Sequence, residues 1–125
     1  MYKMKTVHLL ITVVALLTGN LGAQTSISAH EAQKHVGENA KVCGVVASTH
    51  YADTTRGRPT FINLDEPYPR QVFTIVIWGS DRRKFGNLEE EFRNKDVCVT
   101  GEIQEYKGTP EIIARDSSQI MVQRH

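Results

Sequence analysis

The sequence predicts an all-β domain with one or two short helices. Runs rich in Val, Ile, Thr and aromatic residues recur along the chain between turn residues, which is typical of strands. Residues 42–47 and 97–101 repeat a pattern of valine, cysteine and glycine, which indicates neighbouring strands of one closed sheet. Residues 60–65 alternate between two faces, as a half-buried strand does. A length of 125 residues fits one such domain.

The first 23 residues differ in kind from the rest. Lys3 and Lys5 precede an apolar run over residues 7–17, and the small residues Gly22 and Ala23 follow it. This pattern predicts a signal peptide over residues 1–23 and a periplasmic or secreted protein. The apolar run is shorter than the roughly 20 residues that span a bilayer, so an uncleaved anchor is the less favoured alternative.

Export determines how the two cysteines are interpreted. Cys43 and Cys98 both lie in predicted strands with apolar neighbours, and an even number of cysteines in an oxidising compartment favours a disulfide. A redox pair is disfavoured, because neither cysteine belongs to a CxxC motif and the apolar strands around them are not the setting that lowers a thiol pKa. Free buried thiols are the remaining alternative.

Residues 28–37 predict a short helix at one end of the sheet. Ser28 and Glu31 have the spacing of a capping box, and Gly37 ends the pattern. The apolar residues that share one helical face are Ala29, Ala32 and Val36.

Three strands are predicted in the first part of the domain. After the strand over residues 42–47, the polar residues 49–59 predict a long mobile loop, and residues 60–65 form the second strand. Residues 72–78 are almost continuously apolar and predict a central third strand, with Phe73 and Trp78 in the core.

A helix and two further strands follow. Asn87 has the position of a helix N-cap, and Phe85, Leu88 and Phe92 lie at spacings of three and four on one helical face. Beyond this helix, the sequence predicts a hairpin of two strands with a turn at Lys107 and Gly108, and then a short tail strand. These three strands cover residues 97–106, 109–114 and 120–122.

This order of elements is that of the OB-fold, a five-stranded Greek-key barrel with a helix between strands three and four. The predicted domain covers residues 28–122. Here the chain also resembles a known family through the stretches VGENAKVCGVV, RPTFINLDEPYP, FTIVIWG and DVCVTGEIQEYKGTPEIIARDSSQI. These stretches are similar to small bacterial OB-fold domains related to the anticodon-binding (tRNA_anti-like) domain of class II aminoacyl-tRNA synthetases. The resemblance covers about residues 28–120.

The resemblance implies a nucleic-acid-binding site. In the synthetase domains, a Phe followed by an aliphatic residue, any residue and Leu presents the Phe to a base, and FINL at residues 61–64 matches this motif. The alternation of the second strand places Phe61 and Asn63 on one face independently. The loops that flank OB-fold ligands contribute the other candidates. The predicted nucleic-acid-binding residues are Tyr51, Arg56, Arg58, Phe61, Asn63, Tyr106 and Lys107.

Each candidate also has a purely structural interpretation. Phe61 is alternatively a residue that packs under the long loop, and Tyr106 is alternatively part of ordinary cross-strand packing. The run of Arg82, Arg83 and Lys84 is interpreted as a solvated face rather than a phosphate clamp.

Net charge limits the strength of any nucleic-acid binding. Residues 1–23 contain two lysines and no acidic residue, so the mature chain has 13 Lys and Arg against 14 Asp and Glu. A strong binder of polyanions usually carries net positive charge, and Asp53, Asp65 and Glu105 lie near the predicted site in sequence. We therefore keep two hypotheses, a module that binds single-stranded DNA or RNA with low sequence preference and a periplasmic module that binds a small molecule, a sugar or a protein.

Catalysis is disfavoured by the absence of a recognisable motif. The sequence contains no nucleophile elbow, zinc motif or phosphate loop, and no acidic run typical of staphylococcal-type nucleases. His30 and His35 are five residues apart, which does not suit a shared metal site on a helix, and His50 is isolated in sequence. The expectation is a non-enzymatic binding module without a metal or cofactor, and without a membrane span once the signal peptide is removed.

Overall fold

The computed structural model describes residues 25–124, so the predicted signal peptide lies outside the described residues. The described chain is mostly β-sheet, with one short α-helix, α1 (Leu88–Phe92). Short 3-10 helices cover Ala29–His35, Arg82–Phe85 and Ser117–Gln119. The strands are β1 (Ser26–Ser28), β2 (Asn39–Tyr51), β3 (Thr60–Leu64), β4 (Phe73–Ile77), β5 (Asp96–Glu102), β6 (Gln104–Tyr106), β7 (Thr109–Ile113) and β8 (Ile120–Val122). Between residues 25 and 124, no helix is long and apolar enough to cross a membrane.

The long strand β2 connects the two halves of the sheet. The strand order is β6-β7-β4-β3-β2-β5-β8, and β1 adds to β2 in parallel. The first half of β2 pairs with β5 and the second half with β3. The register shifts between Val46 and Ser48, so Ala47 is an extra residue in this strand. Such a bulge bends a strand and increases its twist, which lets β2 serve both halves.

The architecture is consistent with an OB-fold, but it differs from the predicted five-stranded barrel. The five predicted strands correspond to β2, β3, β4, β5 and β7, and α1 lies between the third and the fourth of them as predicted. β8 is the predicted tail strand, and β6 is the end of the predicted fourth strand, which the structure divides into β5 and β6, whereas β1 was not predicted. These three strands of three residues each bring the described sheet to eight strands. The sheet is not closed by strand pairing, because its described path ends at β6 and β8.

The core lies against the inward face of β3 and β4. All five residues of β4 are buried, as its continuous apolar sequence predicts. The predicted stripe of Phe85, Leu88 and Phe92 is also buried and joins this core. Asn87 occupies the N-cap position of α1, as predicted, but its side chain makes no capping hydrogen bond.

The predicted N-terminal helix is a 3-10 helix rather than an α-helix. In a 3-10 helix, side chains three positions apart lie above one another, so Ala29 and Ala32 are both buried. Val36 would share a face with Ala29 and Ala32 only in an α-helix. In the structure it is 40% exposed, so it does not belong to the core. Ser28 forms no side-chain cap, which corrects the predicted capping box.

A disulfide joins Cys43 and Cys98, as predicted. The two residues are direct register partners on β2 and β5, and they are 55 positions apart in sequence. The bond therefore links two neighbouring strands, and the repeated pattern of valine, cysteine and glycine had predicted that they are neighbours.

Candidate functional site

Alternation along the strands defines an outer face of the sheet. On β3, Thr60, Ile62 and Leu64 are buried in the interior, so Phe61 and Asn63 point outward. Strand register extends this face across β2, β4, β7 and β6, because residues paired across strands point to the same side. The outer face consists of Ser48, His50, Phe61, Asn63, Thr74, Val76, Gln104, Tyr106, Thr109, Glu111 and Ile113.

A mainly apolar row crosses the centre of the outer face. Phe61 pairs with His50 on one side and with Val76 on the other, and Val76 pairs with Ile113. Val76 is buried, whereas Phe61 and Ile113 are partly exposed and His50 is exposed. Sequence reasoning left His50 isolated, because a register between β2 and β3 is not visible in the sequence alone. The row offers an aromatic side chain with apolar neighbours to a ligand.

A polar row lies beside the apolar one. The hydroxyl of Thr74 donates to Oδ1 of Asn63 over 3.1 Å, and Nδ2 of Asn63 donates to Oγ of Ser48 over 3.1 Å. Asn63 is only 2% exposed, so it forms the floor of the face. Its amide joins β2, β3 and β4 rather than projecting toward a ligand, which the predicted role in binding did not anticipate.

Glu111 continues the polar row with a carboxyl group on the outer face. It pairs with Thr74 on β4 and with Gln104 on β6. Burial raises the pKa of Glu111 above its ordinary value, because desolvation disfavours the charged carboxylate. This acid is a candidate site residue that sequence analysis did not select.

The hairpin between β6 and β7 flanks one side of the outer face. Its turn contains Lys107 and Gly108, as predicted from the sequence. Both residues have positive φ, which is typical of tight hairpin turns. Tyr106 has the outward orientation of Glu111 and is 61% exposed. The ammonium group of Lys107 lies 5.4 Å from the centre of the Tyr106 ring. The hairpin thus presents an exposed aromatic ring beside an exposed cation.

The loop over residues 52–59 lies beyond the ends of β2 and β3 and carries the exposed Arg56 and Arg58. Backbone hydrogen bonds close it on itself, including one from Ala52 N to Pro59 O over 2.9 Å. The loop is shorter than predicted, because β2 continues to Tyr51.

An open depression of about 570 Å³ lies beside this loop. We call it the Trp78 depression, after the indole on one side of it. Trp78 is 40% exposed and lies just beyond β4, so its assignment to the core is wrong, whereas Phe73 is buried as predicted. The depression is lined by Tyr51, Gly57, Arg58, Trp78, Gly79 and Ser80.

Tyr51 does not share the outer face with Phe61. It pairs with Thr60, whose side chain points inward, and the guanidinium of Arg82 stacks on its ring at 3.8 Å. Arg82 also donates to Thr60 Oγ1 over 2.5 Å and to Glu89 Oε1 over 2.6 Å. Tyr51 therefore takes part in packing at the end of the sheet, although one side of it reaches the Trp78 depression.

The sequence predicted that Arg82 belongs to a solvated charged face, and this prediction is wrong for Arg82. Burial acts to raise the pKa of Glu89, but the hydrogen bonds and the charge of Arg82 lower that pKa below its usual value. The structure thus assigns Arg82 a stabilising role in which its charge is already paired.

None of the three acidic residues that lie near the predicted site in sequence, Asp53, Asp65 and Glu105, belongs to the outer face. Asp65 accepts a hydrogen bond from Val45 N over 2.9 Å and pairs with His30 over 3.3 Å. Glu105 pairs with Pro110, which is buried, so it points away from Tyr106. Asp53 is exposed in the loop. Within residues 25–124, His, Cys, Asp and Glu side chains form no group of three that could hold a metal ion.

The predicted residues fall into three groups. Phe61, Asn63 and Tyr106 share the outer face, with Lys107 at its edge, whereas Arg56 and Arg58 lie on the neighbouring loop. Tyr51 lies at the end of the sheet, outside the outer face, where it stacks with Arg82 and lines the Trp78 depression. The residues that sequence reasoning missed are His50, Trp78, Glu111 and Ile113.

Comparisons with known proteins give similarity at the level of structure only. No family model matches the sequence, and no curated protein matches it. A structure assigned as an aspartyl-tRNA synthetase from Leishmania major Friedlin aligns with a TM-score of 0.51 at 12% identity, over 84% of this chain and 22% of that chain. An OBody, AM1L10, bound to hen egg-white lysozyme aligns with a TM-score of 0.54 at 18% identity, over 83% of this chain and 95% of the OBody. A second OBody, AM2EP06, bound to the same lysozyme, aligns with a TM-score of 0.51 at 18% identity, over 81% of this chain and 94% of the OBody.

The described chain therefore spans only about a fifth of the length of the synthetase structure. At these identities the likeness concerns the fold alone, and it agrees with the strand order and helix position described above. The chain is a mostly β protein whose architecture is consistent with an OB-fold.

Proposed function

We propose that this protein is an exported, non-enzymatic OB-fold module that binds single-stranded nucleic acid, DNA or RNA, with low sequence preference. One observation carries the proposal: a partly exposed Phe61 lies at the centre of the outer face, with Tyr106 and Lys107 on one side. Aromatic rings that stack bases and cations that contact phosphates are the two components of such sites.

The chemistry of the face favours stacking over recognition of base edges. Stacking contributes about 1–3 kcal/mol per base and tolerates any base, because every base has a π-face. The side-chain amide of Asn63 is buried and bonded to Ser48 and Thr74. Since a free amide is a common reader of bases, its engagement within the sheet supports low sequence preference.

The proposal includes a finer statement about the fold. We take β2, β3, β4, β5 and β7 as the five strands of a Greek-key barrel, with β1, β6 and β8 as short additions. In OB-folds, the faces of the second and third strands and the loops beside them bind oligonucleotides and oligosaccharides. The outer face and the loop over residues 52–59 occupy these positions here.

The similar structures support two kinds of partner. A synthetase is named for its tRNA substrate, which agrees with a nucleic-acid ligand, whereas the two OBodies are bound to a protein. A protein partner is the second candidate, favoured by the partly exposed apolar side chains of Phe61 and Ile113 on the outer face. The nearly equal numbers of acidic and basic residues also suit this candidate.

A fluorescence-anisotropy titration tests the proposal. The oxidised protein without residues 1–23 is titrated against a labelled 20-nucleotide single strand at two salt concentrations, beside Phe61→Ala. We expect binding that weakens as salt rises, because phosphate contacts release counterions, and a loss of about 1–3 kcal/mol in Phe61→Ala.

A matched control is Met121→Ala, which removes an exposed apolar side chain from β8 at the far end of the sheet. This variant should bind as the unsubstituted protein does. Absence of binding at low salt would exclude the nucleic-acid proposal and favour the protein partner. Export is tested separately, by determining the N-terminal residue of protein recovered from outside the cytoplasm.

A further inference from the structure

We propose that the Trp78 depression is a second stacking subsite, which receives a planar base while Arg58 contacts an adjoining phosphate. This inference rests on the proposed function, since it extends the nucleic-acid path from the outer face to the loop over residues 52–59. The observation behind it is an exposed tryptophan that packs on the loop backbone beside an exposed arginine in an open depression.

The position of Trp78 is fixed by the loop beside it. A Cβ atom on Gly57 would lie 2.9 Å from Cε3 and Cζ3 of the indole, so the ring packs directly on the Gly57 backbone. Only glycine permits this approach, and its φ of +81° is also one that glycine adopts readily. The indole is therefore supported on one side while 40% of the residue remains exposed.

The walls of the depression are also held in place. Gly79 N donates to Gly57 O over 2.9 Å, and a Cβ atom on Gly79 would lie 2.9 Å from the Cβ atom of Arg58. Arg58 N donates in turn to Thr55 O over 2.9 Å. Because loop and strand end are already joined, a ligand here would order few additional groups, which lowers the entropic cost of binding.

The charges around the depression suit an anionic ligand. Arg58 is exposed and lines the depression, and none of its lining residues is acidic. Asp81 follows the last lining residue in sequence, but its carboxylate accepts a hydrogen bond from Lys84 over 2.9 Å. A phosphate group beside Trp78 would therefore meet Arg58 rather than an unpaired carboxylate in the lining.

The depression lies close to the centre of the outer face. Trp78 is two residues beyond Val76, which is the direct register partner of Phe61. Two residues of any chain span at most about 7 Å, so Trp78 lies near the strand pair that carries Phe61 and one short oligonucleotide can contact both rings. This proximity distinguishes a second subsite on the same path from an unrelated site.

The fact that Trp78 is the sole tryptophan makes the test direct. The oxidised protein without residues 1–23 is titrated with oligothymidylates of 4, 8 and 12 nucleotides, and both indole fluorescence and the anisotropy of a labelled strand are followed. We expect the indole fluorescence to be quenched with the same midpoint as the anisotropy change. Trp78→Ala should weaken binding by roughly fivefold to 150-fold, which corresponds to one stacked base.

Two further variants keep the test informative if Trp78→Ala does not fold. Trp78→Phe retains a ring and should bind within a few-fold of the unsubstituted protein. Arg58→Ala should lower the slope of log K against log salt by about 0.7, the value for one phosphate contact on a single strand. Arg83→Ala removes an exposed cation outside the depression and should leave that slope unchanged.

The outcomes separate this inference from the proposed function. Binding that depends on Phe61 but leaves the fluorescence of Trp78 unchanged would overturn the subsite while the proposed function stands. Absence of any anisotropy change would overturn both. Quenching that coincides with binding, together with weaker binding by Trp78→Ala or a lower slope in Arg58→Ala, supports the subsite.

Discussion

At the scale of single residues, Arg82 shows how one charge is used for stability rather than for binding. It comes from a run of three cations that resembles a solvated surface, yet it stacks on Tyr51 and donates to Thr60 and Glu89. Its side chain is 24% exposed and that of Glu89 is 32% exposed. Such partial burial makes the pair more stabilising than a fully exposed one, whose contribution is close to zero.

Arg82→Met should therefore lower the free energy of unfolding by about 1–2 kcal/mol at pH 7, because hydrogen bonds to a charged group are lost. The pKa of Glu89 is lowered in the folded protein, so its contribution is present above the unfolded-state pKa of about 4.3 and is lost as the pH falls through the folded value. The difference from the unsubstituted protein should become smaller in acid. Urea denaturation at pH 7 and at pH 3 measures both effects.

The matched control is Arg83→Met, which removes the neighbouring exposed cation and should change stability by less than about 0.5 kcal/mol. Equal losses in the two variants at pH 7 would show that the paired geometry of Arg82 adds nothing.

At the scale of elements, most of the described strands could be predicted because their own residues specify them. The buried β4 follows from its continuous apolar sequence, and the hairpin turn follows from Gly108 after Lys107. β1 could not be predicted, because Ser26–Ser28 carries no pattern and forms only through pairing with β2. Trp78 was wrongly predicted to lie in the core, because the sequence shows a run of apolar residues but not the residue at which strand pairing ends.

The disulfide between β2 and β5 gives a prediction at this scale. It closes a loop of 55 residues, so in the chain-entropy model it destabilises the unfolded state by about 4 kcal/mol. The double variant Cys43→Ala/Cys98→Ala should lose stability of that order in urea denaturation, although the cavity left by each sulfur adds to the loss. Reducing the disulfide of the unsubstituted protein should have a similar effect.

A reductant should leave the stability of the double variant unchanged, which controls for effects other than cleavage of this bond. Equal midpoints for oxidised and reduced protein would contradict a stabilising role of the disulfide. Because the bond lies in the half of β2 that pairs with β5, away from Phe61, folded reduced protein is expected to retain its ligand affinity.

At the scale of the molecule, the candidate site depends on register, which the sequence does not contain. Alternation places Phe61 and Asn63 on the same face, but it does not show that His50 pairs with Phe61 or that Asn63 is buried between Ser48 and Thr74. The position of Tyr51 beside a loop of the predicted OB-fold suggested it for the site as well, yet the inward orientation of its partner Thr60 removes it from the outer face. Net charge, by contrast, follows directly from composition.

That net charge is close to zero, since the chain has 15 Lys and Arg against 14 Asp and Glu. Any attraction for phosphates must then arise from local cations rather than from the overall field of the protein. Arg56→Ala/Arg58→Ala should therefore weaken binding of a single strand and lower the slope of log K against log salt by about 1.4, the value for two phosphate contacts. Arg83→Ala/Arg93→Ala changes net charge equally with two exposed arginines outside the loop, and it should leave the slope unchanged. Equal slopes for both double variants, measured by anisotropy over a range of salt concentrations, would remove Arg56 and Arg58 from the site.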